Sequence, residues 1–125
     1  MAGQGGEAGE ALAGPAQPGL GYLQVQTTTD SRAEAVELGR SAVQARLAAC
    51  AQVAGPVVSM YWWEGDVERA EEWTLLLKLP AARYQELADF LTQRHSYDEP
   101  EIVATAIVAG SAAFLSWLEE VTQPR

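Results

Sequence analysis

The chain is poor in the residues on which most reactive, secreted or nucleic-acid-binding proteins depend. It has one cysteine, Cys50, so no disulfide can close within it, and a lone thiol fits a reducing cytoplasm. It has one histidine, His95, and a Ser-His-Asp triad finds no convincing frame around a single imidazole. There is no P-loop and no Cys-x-x-Cys. No run approaches the roughly 18 apolar residues that cross a bilayer. The N-terminus lacks a basic region followed by a hydrophobic run, so no secretory signal is expected. Basic charge is scarce: 17 acidic residues face 8 basic ones, a net charge of -9. That balance repels phosphate backbones and argues against nucleic acid or an anionic membrane as partner.

What is present suffices for one domain. Of 125 residues, 48% are apolar, and no internal repeat is visible. Residues Met1 to Gly19 are rich in Gly, Ala, Gln and Pro, with no aromatic or β-branched side chain. Such a stretch buries too little surface to offset its ordering entropy, so a disordered tail is expected there, with the folded domain over 20–125.

The remaining pattern predicts four strands and three helices. Tyr22 to Thr28 is β-prone, with Leu23, Val25 and Thr27 on one face. Asp30 or Ser31 caps a helix running to Ala48, with Glu34 placed to close a capping box on Ser31. Val36, Val43 and Leu47 form its apolar stripe, and small residues including Gly39 fill between them. Cys50 to Val53 is extended, Gly55-Pro56 bends it, and Val57 to Glu64 continues the strand. After a turn at Gly65-Asp66, Val67 to Leu79 returns, and its Trp73–Leu79 run suits a central strand buried on both faces. Pro80 opens a second helix with Tyr84, Leu87, Ala88 and Leu91 inward, and His95 to Glu101 is a loop. Ile102 to Val108 is the fourth strand, and Phe114 to Val121 a terminal helix. The order β-α-β-β-α-β plus a helix specifies an α+β, ferredoxin-like split βαβ domain: an antiparallel sheet, both main helices on one face, the second strand at an edge.

The hairpin stands out. Its 13-residue return arm approaches 43 Å at about 3.3 Å per residue, against about 17 to 20 Å for an ordinary strand, so it protrudes. Trp62 and Trp63 are adjacent and face opposite sides of it. One can join the domain's own core, and the other needs cover from a second chain. A long aromatic edge is an aggregation hazard unless it pairs, so closed oligomerisation through Tyr61, Trp62 and Trp63 is expected.

Four segments in order, Arg46-Leu-Ala-Ala-Cys50, Ser59-Met-Tyr-Trp-Trp-Glu-Gly65, Leu75-Leu-Leu-Lys78 and His95-Ser-Tyr-Asp-Glu-Pro-Glu-Ile102, resemble the CutA family of divalent-cation tolerance proteins. The likeness covers about 100 residues. It departs at Ala51-Gln52, where the family often has Val-Asn, and at Ser96 and Glu99, where Pro and an apolar residue are usual. The resemblance implies a PII-like homotrimer whose long hairpins pair between subunits, and association with copper or another divalent metal. It implies no established catalytic reaction and no required cofactor.

The candidate metal ligands are His95, Asp98, Glu101 and Cys50. Imidazole with carboxylates suits copper(II) or zinc, and weakly bound copper(II) is the ion such a set would retain. Each has an ordinary structural reading. Asp98 and Glu101 can accept loop hydrogen bonds around a structural His95, and Cys50, just after a helix C-terminus, can be an inert packing residue. One His and one Cys cannot close a four-ligand zinc site alone, but a trimer gathers three of each. Lys78 and Arg46 either bind an anion in an intersubunit cleft or pair with the surplus carboxylates. Two other owners of the same element order are excluded on composition. Acylphosphatase chemistry needs an Asn to orient water, and the chain has none. An RNA-recognition domain needs aromatics in a basic surface. A metal-tolerance protein and a PII-like scaffold binding a small molecule or partner in intersubunit clefts both remain.

Overall fold

A computed structural model describes residues 21–124, so the expected tail over Met1–Gly19 lies outside the described residues. Strand β1 spans Tyr22–Thr29, helix α1 Arg32–Gln44, β2 Cys50–Trp63 and β3 Asp66–Pro80. A short 3-10 turn, Ala81–Arg83, leads into α2 at Tyr84–Arg94, then β4 at Val103–Ile107 and α3 at Ala112–Val121. The sheet is fully antiparallel in the order β2-β3-β1-β4, which is the ferredoxin-like arrangement with β2 at one edge and β4 at the other. No helix among the described residues is long and apolar enough to cross a membrane.

The core lies on one face of the sheet. Leu23, Val25 and Thr27 of β1 stand opposite Leu79, Leu77 and Leu75 of β3, and all six are buried. Helices α1 and α2 cover them with Ala35, Leu38, Ala42, Leu87 and Leu91. The alternate β3 residues, Thr74, Leu76 and Lys78, are only half-buried, because no main helix covers that second face. The expectation that β3 is buried on both faces is therefore corrected. β3 is central in the sheet, but its burial alternates as a one-sided antiparallel strand requires.

Helix α1 departs from its expected stripe and end. Ala35, Leu38, Gly39 and Ala42 face inward, while Val36 is exposed. The helix sits too close to the sheet for larger residues: a Cβ on Gly39 would lie 3.0 Å from the Ala51 Cβ and 3.0 Å from Leu75 Cδ1. It ends at Gln44 rather than Ala48, because Arg46 takes a left-handed φ of 64° and turns the chain so that Leu47, Ala48 and Ala49 are buried. At the N-terminus, Ser31 Oγ accepts from Glu34 N at 3.1 Å. The Glu34 carboxylate does not return to close a box; it accepts from Ser96 N at 2.8 Å and Ser96 Oγ at 2.7 Å.

The hairpin turns on Glu64-Gly65, with φ of 50° and 90°, one residue earlier than Gly65-Asp66. Two consecutive positive φ values match the twist of the flanking strands. A bulge between Ala54 and Val57 accommodates Gly55-Pro56. There Gly55 has φ 157°, and a Cβ on it would meet the Trp73 ring at 2.6 Å.

Candidate functional site

Three places collect the residues expected to carry function: the arm, the His95 loop and the two strands around Cys50 and Lys78.

The arm is the β2–β3 ladder beyond the bulge, from Val57 paired with Glu72 to Trp63 paired with Asp66. At about 3.3 Å per residue, the 15 residues of β3 extend about 50 Å, far past the helices. Met60 is 70% exposed, Trp62 75% and Trp63 60%. Neither tryptophan joins the core, contrary to the expectation that one does, because no helix backs this length of ladder on either face. Tyr61, Val58 and Val67 are exposed with them. Large apolar side chains left exposed on both faces of one ladder are the kind of surface that protein–protein contacts use. Further apolar exposure lies at and near the opposite edge of the sheet, at Val103, Val108, Phe114 and Trp117.

The His95 loop is tied inward. The His95 side chain is fully buried. Nε2 stands 2.8 Å from the Thr28 carbonyl oxygen and 3.2 Å from Thr27 Oγ1, and Nδ1 accepts from Tyr97 N at 3.1 Å. A carbonyl only accepts and an amide N–H only donates, so the proton sits on Nε2. Both ring nitrogens are thus engaged inside the fold. Asp98 and Glu101 are exposed, and Glu101 accepts from Gln26 Nε2 at 3.2 Å. Cys50 is half-buried as the first residue of β2, six residues beyond the α1 C-terminus. Among the described residues no three His, Cys, Asp or Glu side chains converge as a metal cage. The set His95, Asp98, Glu101 and Cys50 therefore does not come together within one chain, and a buried imidazole bonded at both nitrogens does not fit a resident metal ion.

Sequence reasoning missed the group that links this loop to the arm. Glu72, at the base of the arm, is buried, and its Oε2 accepts from the Tyr97 hydroxyl at 2.7 Å. Burial first, then the Glu72 carboxylate, push the Tyr97 phenol well above its ordinary range. The available signal was a carboxylate placed directly before the apolar Trp73–Leu79 run.

Cys50 also borders an open cleft of about 540 Å³ between α1 and β2, lined by Val36, Gly39, Arg40, Val43, Gln44, Ala51 and Val53. Neither Lys78 nor Arg46 has found a carboxylate among the described residues. Arg46 Nη1 donates to the Val121 carbonyl at 2.8 Å and so caps the end of α3. Lys78 Nζ reaches only Gln52 Oε1, at 3.4 Å.

A ferredoxin-like body thus carries a long arm with exposed apolar side chains and two open sheet edges. Comparison with known proteins supplies the family. The model of the CutA1 divalent ion tolerance protein family matches residues 23–121, and the chain belongs to the CutA family. The chain is 32% identical over 99 residues to the divalent-cation tolerance protein CutA of Archaeoglobus fulgidus, covering 79% of this chain and 96% of that one. It is 34% identical over 101 residues to the chloroplastic protein CutA of Arabidopsis thaliana, covering 81% of this chain. It spans only 56% of that relative's length. Among solved structures, CutA1 of Oryza sativa aligns at a TM-score of 0.80 and 30% identity, over 83% of this chain and 95% of that one. The Archaeoglobus fulgidus structure, described as a periplasmic divalent cation tolerance protein, aligns at 0.79 and 31%, over 82% and 99%. The family is named for ion tolerance rather than for a reaction.

Proposed function

We propose that the chain works as a homotrimer, assembled by pairing of the β2–β3 arms between subunits, and that the assembly serves divalent-cation tolerance without catalysing a reaction. The exposed arm carries this reading. Trp62, Trp63, Met60 and Tyr61 have no cover within the protomer, and a closed ring removes the unpaired edge that would otherwise aggregate. Copper or another divalent ion is taken up between subunits, where the carboxylates of Asp98 and Glu101, exposed on each protomer, meet donors of a neighbour. His95 is the structural anchor of that loop. The reducing chemistry suited to a lone cysteine favours the cytoplasm.

Native mass spectrometry at sub-micromolar chain concentration tests the assembly: trimer is expected, and a dominant monomer ends the reading. Titration with copper(II) and zinc, beside nucleotides, tests the ligand. Asp98→Asn with Glu101→Gln is expected to weaken copper(II) binding about tenfold, which is about 1.4 kcal/mol. The cleft beside Cys50 favours a second reading, a PII-like scaffold whose intersubunit clefts hold a small molecule. Nucleotide binding without metal binding would select it.

A further inference from the structure

Several supports of the arm stop at the level of Trp73. Strand β1 ends at Thr29, whose register partner is Trp73, and β4 reaches no further along β1 than Gln26. On the other side the ladder with β2 is interrupted. Gly55 and Pro56 together stand opposite Trp73, between the pairs Ala54 with Thr74 and Val57 with Glu72. A bulge of this kind bends its strand and disrupts the pairing locally, and Pro56 has no N–H to give to the ladder. From Glu72 outward β3 keeps a single neighbour, β2, and a two-stranded ladder standing alone is marginal in water. The junction of arm and body therefore has the construction of a hinge.

The loop after α2 reaches across this junction. Its first three residues are tied to the body one by one. The His95 ring stands 2.8 Å from the Thr28 carbonyl oxygen of β1, and Ser96 donates twice to Glu34 of α1, at 2.8 and 2.7 Å. Tyr97 N donates to His95 Nδ1 at 3.1 Å, and the two rings lie with centroids 4.9 Å apart. The Tyr97 hydroxyl, held from behind in this way, donates to Glu72 Oε2 at 2.7 Å. Among the described residues it is the only hydrogen bond, the ladder apart, that joins the arm to the rest of the chain. Glu72 is also the only buried residue of the arm. A buried carboxylate does not readily give up its donor, and a hydrogen bond to an ionised group is about twice as strong as a neutral one.

We propose that the junction at Trp73 is a hinge and that residues 95–97 are the strap that locks it, the Tyr97–Glu72 bond fixing the direction in which the arm leaves the body. Arms that meet around a closed ring need one exit direction, and a strap that sets it beforehand lowers the ordering cost of association. That consequence rests on the arm-paired homotrimer proposed above. The hinge and its strap belong to one protomer.

Amide hydrogen exchange on the full chain, read peptide by peptide, tests it. Tyr97→Phe removes the hydroxyl and keeps the ring. A loss to the fold as a whole raises exchange in arm and body by the same factor, whereas loss of the strap adds about tenfold in residues 57–63 and 66–72 alone. Glu72→Gln keeps an acceptor for Tyr97 and is expected to stay within about threefold of the parent. Glu34→Ala unties Ser96 at the far end of the strap, and is expected to add about threefold in the same arm peptides. Equal change in arm and body, or no change, in Tyr97→Phe overturns the proposal. The same measurements are made on the Trp62→Ala, Trp63→Ala background, where no partner arm covers the ladder, with native mass spectrometry of every sample. Failure of the strap and failure of the assembly are thereby told apart.

Discussion

The same two strands, β2 and β3, live under opposite conditions at their two ends. From Cys50 to Ala54 they run beside α1, and Leu75, Leu77 and Leu79 are wholly buried. Beyond the bulge at Gly55-Pro56 the ladder continues in unbroken register to Trp63 and Asp66, but nothing lies behind it, and its larger apolar side chains are exposed. Residue type does not separate the two regions. Burial here is decided by whether a helix is within reach, and the arm outruns both helices. The body's stability is therefore its own, while the arm's apolar surface yields free energy only on association.

Breaking the arm should have the largest effect. At about 150 to 250 Å² per ring and about 25 cal/mol per Å², each tryptophan contributes up to about 4 to 6 kcal/mol when covered by a neighbour. Trp62→Ala and Trp63→Ala together should shift the protein toward monomer and make its melting temperature fall steeply on dilution. A doubly substituted protein that stays trimeric, with an unchanged melting curve, would remove the distinction between arm and body.

A cut of similar chemistry in the body should behave differently. Leu77→Ala empties a fully buried position, at a cost of about 2 to 5 kcal/mol. Thermal melts should show a similar loss at every protein concentration, whereas the arm's loss grows with dilution. A Leu77→Ala defect that vanished in concentrated samples would mean that the body, too, is held by its neighbours.

Tyr97 sharpens the comparison at the junction, since its hydroxyl ties the loop to Glu72 where the arm begins. Tyr97→Phe leaves a buried carboxylate without its donor, at about 1 to 3 kcal/mol. The pH dependence has a fixed sign. The phenol is raised above its ordinary value of 10.0, so the folded state holds this proton more tightly than the unfolded chain. The stability it contributes is complete below about pH 10 and is lost as the pH rises further. Alkaline denaturation curves of parent and Tyr97→Phe should therefore converge above pH 10. Tyr22, raised in the same direction, leaves a residual slope in both.

The element order, the edge position of β2, the cap at Ser31 and the overlong hairpin were legible because each rests on local pattern: periodicity, a capping side chain, strand length. The buried face of α1 was misread because Val36 and Val43 outrank Ala35, Gly39 and Ala42 on any hydrophobicity scale. The sheet selects the smaller set, by leaving 3.0 Å where a Cβ would stand. The fates of Glu34 and His95 were hidden for another reason. Their partners, Ser96, Thr27 and Thr28, are 62 to 68 positions away and are brought close only by the fold.

Removal of metal should have the smallest effect, and it divides the two regions once more. A structural metal supplies roughly 10 kcal/mol or more of folding energy, usually because the core beneath it is too small. Here the body has a full set of buried leucines, and the one imidazole is bonded at both nitrogens inside the fold. Its one ring N–H and its lone pair are spent on Thr28 and Tyr97, so a metal could reach it only by breaking contacts that hold the loop. Treatment with EDTA should leave the melting temperature within about 2 °C of its starting value. His95→Ala should lower it by several degrees with or without the chelator, since about 1 to 3 kcal/mol goes with an unpaired Thr28 carbonyl and the emptied ring site. Were EDTA alone to lower the melting temperature as far as His95→Ala does, a metal would be part of the folded body. Divalent ions would then have to be moved from the subunit boundary to the core.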